Sequence, residues 1–242
     1  MKTLVIGVPL LSSEKLNIAV HEILGAAVKV SCVGWTPTND EEFWYLRSIV
    51  AKNGPSVGKP PQEIFDYVGE VDMIITQHTP INEQIIEAAK KCKVIGVCRA
   101  GVENIDVAAA TKHGIPVCRT MGRNANAVSD YTVALMIAEM RNIGRGHAAL
   151  KQGEWKKQYS NYEFVGDMYG KTVGLVGFGY IGHCVAKKLK GFDVNILVYD
   201  PFVKAEEIEA QGCRLVSLEE LCKKSDFISM HARLSDETRG LI

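Results

Sequence analysis

The stretch Thr172-Val173-Gly174-Leu175-Val176-Gly177-Phe178-Gly179-Tyr180-Ile181-Gly182 decides how the rest of the chain is read. Residues 172–176 predict a strand, the glycines follow at once as G-x-G-x-x-G, and a helical pattern runs on to about residue 190. Such spacing alone is common in turns, so context carries the weight. The next strand, 194–199, ends in Asp200, 18 residues after Gly182. Strand, glycine turn, helix and strand-terminal acid together form the fingerprint of a dinucleotide-binding βαβ unit. Gly177 then permits the tight turn, Gly179 lets a pyrophosphate approach the backbone, and Gly182 lets helix and strand pack closely. The helix N-terminus offers amide hydrogens and the positive end of its dipole to the phosphates. Asp200 can accept hydrogen bonds from the adenine-ribose hydroxyls and repels a 2′-phosphate, which favours NAD over NADP.

Outward from this unit, apolar runs and helical stretches alternate. Downstream come a helix at 204–210, a short strand at 214–216, a helix at 218–224 and a strand at 226–230. Upstream, strands are predicted at 4–8, 28–33, 71–76, 94–97 and 115–118, with helices at 12–24, 40–51 and 82–91 and a short one that Asp106 caps and Gly114 stops. Continuously apolar strands separated by helices indicate parallel sheets covered on both faces, so residues 1 to about 120 read as one open α/β domain. Between the two units, residues 125–142 predict a helix that is apolar nearly all round from Val133 to Ala138, as expected of core or of a subunit interface. Residues 144–170 read as irregular, with Trp155, Tyr159, Tyr162 and Phe164 expected to pack that segment down.

Composition limits the function. The 242 residues are 47% apolar and 23% charged, and 28 Lys+Arg balance 28 Asp+Glu. Zero net charge argues against a dedicated nucleic-acid binder. No apolar run approaches the ~18 residues of a membrane helix, and the apolar N-terminus reads as a first strand rather than a leader. The seven cysteines form no C-x-x-C pair and no zinc spacing, so no metal site is expected and the thiols read as reduced, in a cytoplasmic protein. No hydrolase constellation is present. His231 and His78 each follow a predicted strand, where ligands of open α/β sheets sit, and each could equally be an ordinary histidine.

Six stretches, residues 98–106, 114–117, 122–130, 170–182, 198–201 and 231–238, resemble in order and spacing the D-isomer-specific 2-hydroxyacid dehydrogenases, the group that includes phosphoglycerate, glycerate and formate dehydrogenases. The resemblance is dense in the second half and looser in the first hundred residues. It implies an α/β protein of two Rossmann- or flavodoxin-like parallel-sheet domains with a cleft between them. Residues 1–121 would be the outer, substrate-side domain and 122–242 the NAD-binding domain and main homodimer surface. It also implies hydride transfer between a nicotinamide and a small 2-hydroxy or 2-oxo acid. Carried over residue by residue, Ala100, Gly101 and Val102 would meet the substrate carboxylate, with His78 and Gln77 nearby. Tyr180, Ile181 and Asp200 would hold adenosine and pyrophosphate. Val128, His231 and Thr238 would line the cofactor further along. Arg233 stands where the family usually has proline, and Asp130-Tyr131 where Glu-His is common.

From Gly177 to Ile242 there are 66 residues, whereas a six-stranded dinucleotide domain needs two βαβαβ halves of roughly 30 residues per βαβ unit. The second domain is therefore expected to be incomplete, with an unpaired edge on its last strand. The family's catalytic Arg, Glu and His are expected downstream of Ile242, so no catalytic residue is assigned within the chain. It reads as the N-terminal portion of a dehydrogenase, itself inactive. The alternative is a non-catalytic NAD(H)-binding or dimerisation remnant of that family.

Overall fold

The computed structural model describes residues 1–37 and 39–242. Two compact units divide at Met121/Gly122, and each is described by itself.

In the first unit the elements run β1 (Lys2–Gly7), α1 (Ser13–Leu24), β2 (Lys29–Gly34), α2 (Asp40–Asn53), α3 (Ile64–Tyr67), β3 (Met73–Thr76), α4 (Glu83–Ala88), β4 (Val94–Val97), α5 (Val107–Lys112) and β5 (Val117–Arg119). Side-chain caps start the helices where the sequence marks them. Asn39 accepts from the N–H of Glu42 at 2.8 Å, Asn82 from Ile85 at 3.1 Å and Asp106 from Ala109 at 2.9 Å. Every strand pair is parallel and the order is β2-β1-β3-β4-β5, the flavodoxin-like arrangement. Apolar clusters lie on both faces, one around Leu4, Ile6, Phe43, Ile64 and Ile74, the other around Val5, Leu16, Val20 and Val28. This two-sided burial is why the strands read as unbroken apolar runs.

Asp72 ties three strand starts together. It accepts the Lys2 backbone N–H at 2.9 Å and pairs with Lys93 at 2.9 Å. These bonds to the ionised form, the backbone one first, hold its carboxyl down at about 2. A depressed folded-state value stabilises the fold above the unfolded carboxylate range and is lost as the proton returns. The first unit should therefore lose stability as pH falls from about 4 towards 2, and acid titration of Asp72→Asn followed by circular dichroism should lack that component.

The second unit runs α6 (Ala125–Met140), α7 (Ile143–Lys151), β6 (Thr172–Val176), α8 (Tyr180–Leu189), β7 (Asn195–Tyr199), α9 (Ala205–Ala210), β8 (Arg214–Leu215), α10 (Leu218–Lys224) and β9 (Phe227–Met230). The strands are parallel in the order β8-β7-β6-β9. Counted from the first strand of the unit this is 3-2-1-4, the opening of the Rossmann order. Among the described residues β9 pairs with β6 alone and its other edge is open.

Helix α6 packs on α8 through a buried stripe of Ser129, Val133, Met136 and Met140, and a polar clamp closes the contact. The Lys188 ammonium donates to the Asn126 carbonyl at 2.8 Å and to the Ser129 hydroxyl at 2.6 Å, and pairs with Asp130 at 2.6 Å.

The helix at 125–142 buries one face, and its opposite face leaves Tyr131 66% and Leu135 51% exposed. Two expectations for residues 144–170 need correction. Residues 144–170 are not irregular throughout. Asn142 adopts a left-handed conformation (φ 54°) that ends α6, and the chain restarts at once as α7 despite Gly144 and Gly146, with Ala149 buried. Three of the four aromatic residues do not pack the segment down, with Trp155 79%, Tyr162 57% and Phe164 80% exposed, while Tyr159 is half-buried. Met168 instead fills the space beside Met136 and Met140, an unbranched side chain suited to an irregular gap. Among the described residues no helix is long and apolar enough to cross a membrane.

Candidate functional site

At the carboxyl ends of β6, β7 and β9 a cavity of about 780 Å³ opens, lined by Gly177, Gly179, Asp200, Phe202, His231 and Thr238 among others. Five residues singled out in the sequence thus meet in one place. Val128, Tyr180, Ile181 and Gly182 lie outside that lining. Val128 is half-buried on α6, and the Tyr180 ring at the start of α8 covers the backbone of Gly122.

The glycine turn is shaped by three different constraints. Gly177 has φ of 96°, and a Cβ there would stand 2.7 Å from the Ala232 nitrogen. It therefore has to be glycine both for its backbone angle and for the approach of the chain leaving β9. A Cβ on Gly182 would stand 2.5 Å from the Gly177 carbonyl oxygen, inside van der Waals contact. Gly179 differs, since a Cβ there would meet nothing within 4 Å and would project into open space at the head of α8. The side-chain space missing at Gly179 is what a ligand would occupy, and the capping position offers no side chain to compete for the first-turn amides.

Asp200 anchors the turn. One carboxylate oxygen accepts the Phe178 N–H at 2.7 Å. The other accepts the N–H groups of Phe202 at 2.9 Å and Val203 at 3.2 Å. About one acceptor site remains for a ribose hydroxyl, since a carboxylate has about four and three are taken. The local half of this role was legible, because Asp-Pro followed by two N–H donors is a turn signature. The bond to Phe178 was not, because it needs β6 and β7 side by side.

After β9, the N–H groups of His231 and Ala232 both donate to the Val176 carbonyl, at 2.7 and 3.0 Å. Thr238 accepts the Ser235 N–H at 2.8 Å and donates to the Arg233 carbonyl at 2.7 Å. The loop path is therefore closed by hydrogen bonds with Arg233 in place of proline. His231 leaves its buried Nε2 without a partner, and burial pushes the imidazole below its usual range, so it is neutral near pH 7. An orphaned buried nitrogen, an empty glycine cradle and a spare carboxylate acceptor site in one cavity fit a bound dinucleotide.

In the first unit, the loops after β3 and β4 are zipped together by Asn104 Nδ2 donating to the Thr79 carbonyl at 2.9 Å and by a bridge between Ile81 and Ile105. This brings His78 and Gln77 to the same end of the sheet as Ala100, Gly101 and Val102. His78 is buried, edge-on to Phe43, and its Nδ1 accepts from Arg99 at 3.3 Å. Arg99 is held in turn by Glu103 at 2.8 Å. A Cβ on Gly101 would overlap the Glu103 carboxylate, the far end of a flexible side chain, which would have to shift. The Arg99–Glu103 pair was missed in the sequence, where only its i, i+4 spacing pointed to it.

Residues 133–242 match the D-isomer specific 2-hydroxyacid dehydrogenase NAD binding domain. D-3-phosphoglycerate dehydrogenase of Methanocaldococcus jannaschii is 40% identical over 190 residues, covering 77% of this chain and 36% of that protein. Glyoxylate reductase of Thermococcus litoralis is 40% identical over 189 residues, covering 76% of this chain and 57% of that protein. The NAD+-bound 3-phosphoglycerate dehydrogenase of Entamoeba histolytica superposes with a TM-score of 0.65 at 27% identity, over 98% of this chain and 64% of that one. The chain thus spans between about a third and somewhat over half of the length of these curated relatives. With the glycine cradle and Asp200 in place, these likenesses lead to one conclusion: the chain belongs to the D-isomer specific 2-hydroxyacid dehydrogenase family, and its second unit is an NAD binding domain of that family.

Proposed function

We propose that the protein is an NAD-dependent oxidoreductase acting on the CH–OH group of a small D-2-hydroxy acid, or on the matching 2-oxo acid. The observation that carries this reading is the cavity joining Gly177, Gly179, Asp200, His231 and Thr238 within a family NAD binding domain. When bound, NAD supplies or accepts the hydride at its nicotinamide C4. In this proposal the Gly177–Gly182 turn and the head of α8 hold the pyrophosphate, with Tyr180 and Ile181 beside it. Asp200 receives the adenine ribose, and Val128, His231 and Thr238 flank the cofactor further along. Residues 1–121 serve the substrate: the backbone at Ala100, Gly101 and Val102 receives its carboxylate, with His78 and Gln77 beside that loop. Neither His78 nor His231 is assigned proton transfer, since Arg99 occupies one and burial keeps the other neutral.

The exposed apolar face formed by Tyr131 and Leu135 on α6, with Ile143 and Leu150 on α7, supports a homodimer through this surface. Seven free cysteines support a reducing, cytoplasmic location. The test is a fluorescence titration of the whole protein with NADH, followed by NADH oxidation with glyoxylate, hydroxypyruvate and pyruvate. Binding of NADH by this chain is expected, with turnover of at least one acid where the catalytic Arg, Glu and His expected downstream of Ile242 are also present. Binding with no turnover on a wide panel would favour a non-catalytic NAD(H)-binding protein, and absence of binding would overturn both readings.

A further inference from the structure

We propose that Arg233 is a cofactor-selectivity residue, a positive charge across the adenine ribose from Asp200, and that it lets the cavity take the 2′-phosphate of NADPH as well as the 2′-hydroxyl of NADH. This rests on the NAD reading of the cavity above. Arg233 stands where the family usually has proline, which carries no charge. It lines the same cavity as Asp200. Gly177 fixes how the two stand. Its N–H donates to the Tyr199 carbonyl at 2.9 Å, and on its other side a Cβ would stand 2.7 Å from the Ala232 nitrogen. Asp200 follows Tyr199 at once, and Arg233 follows Ala232. The strands that lead to them, β7 and β9, flank β6 and so lie two strand spacings apart, about 10 Å. A ribose seated on Asp200 over this turn therefore has Arg233 on its far side. The loop keeps the residue there, because the Arg233 carbonyl accepts from the Thr238 hydroxyl at 2.7 Å.

Among the described residues that line the cavity, Arg233 is the one cation, since His231 is neutral. Two carboxylates stand against it. Asp200 is bound by the N–H groups of Phe178, Phe202 and Val203, which draw its charge into the turn. Glu237 accepts from the Ser235 hydroxyl, which holds its carboxyl below the usual range, and its ionised group is exposed and screened by water. A guanidinium is always charged, and its planar fork matches a phosphate. It carries five N–H donors, so a contact that Arg233 already makes within the chain leaves others for a ligand. The pyrophosphate has its own place, at the Gly179 backbone and the head of α8. A phosphate on the ribose 2′-oxygen would instead come between Asp200, which repels it, and Arg233, which attracts it. Asp200 alone would exclude NADPH. With Arg233 opposite, NADH is preferred but NADPH still binds.

The test measures dissociation constants of NADH and NADPH by fluorescence, and of 5′-AMP and adenosine 2′,5′-bisphosphate by calorimetry. The whole protein is compared with Arg233→Gln, which removes the charge, and Arg233→Lys, which keeps it without the fork. The side chain is exposed, so both variants should fold, and Tm checks this. Arg233→Gln should weaken NADPH and the bisphosphate by about 5- to 20-fold, and NADH and 5′-AMP by about twofold or less. Arg233→Lys should fall between wild type and Arg233→Gln, and carries the test if Arg233→Gln fails to fold. Added salt should weaken NADPH more than NADH in the wild type, and Arg233→Gln should lose that difference. An unchanged NADPH/NADH ratio in a folded variant would overturn the proposal, and an equal loss of both dinucleotides would move Arg233 to the pyrophosphate instead. Wild-type protein that binds NADH but neither NADPH nor the bisphosphate would overturn it too, and in each of these cases the NAD reading stands. Absence of NADH binding by the wild type would overturn that reading and this proposal with it.

Discussion

Replacing Gly179 with alanine should weaken NADH binding by about 10- to 100-fold, the equivalent of one methyl group forced against a closely packed ligand, with Tm essentially unchanged. The two halves of this expectation have separate causes. No protein atom lies within 4 Å of the added Cβ and φ at Gly179 is −81°, so the folded chain accepts the methyl without strain. The methyl then stands in the space where the pyrophosphate would reach the backbone. Gly177→Ala makes the contrast. There the substitution meets a φ of 96° and the backbone at His231 and Ala232, so Tm should fall by several degrees as well. Wild-type NADH affinity in Gly179→Ala would show that the phosphates do not cross this residue.

Asp200→Ala should both loosen the turn and weaken NADH. The carboxylate accepts three backbone N–H groups, two from its own turn and one from Phe178 across the strand pair. Leaving part-buried donors unpaired costs about 1–3 kcal/mol each where water cannot replace the partner. Several of these groups are reached by solvent, so the expected total is about 2–4 kcal/mol, read as a drop in Tm. Asp200→Asn separates the two roles. Its amide oxygen can keep an acceptor in the turn, so most stability should remain, while the negative charge is gone. Discrimination against NADPH should then fall about tenfold, since a 2′-phosphate no longer meets a like charge. Retention of both the wild-type Tm and the wild-type NADH/NADPH ratio in Asp200→Asn and Asp200→Ala would remove Asp200 from the site.

The central strands of both units were legible because they are buried on two faces, which leaves an unbroken apolar run in the chain. The cap at Asp106 was legible because a cap acts on the third residue after it. The glycine turn was legible for the same reason of locality: strand, turn and helix are consecutive. Helix α7 was hidden by Gly144 and Gly146, whose low propensity is offset by the packing of Ala149. The exposure of Trp155 and Phe164 was hidden too, since apolar character alone does not say whether a partner surface is already filled.

By itself, then, the sequence determined the parallel α/β class, the glycine turn and the acid that ends the next strand, because each depends on near neighbours or on a periodic pattern. Tertiary structure alone decided how those parts become a site. Only with β7 beside β6 does Asp200 reach Phe178, and only with β9 beside β6 does His231 enter the same cavity. The packing of α9 near α8 sets Glu207 against His183, and the joined loops after β3 and β4 set Arg99 against His78. Each of these contacts is made between residues more than twenty apart in the chain, where no local propensity or spacing acts and only the order of strands in the sheet brings the groups within hydrogen-bonding reach.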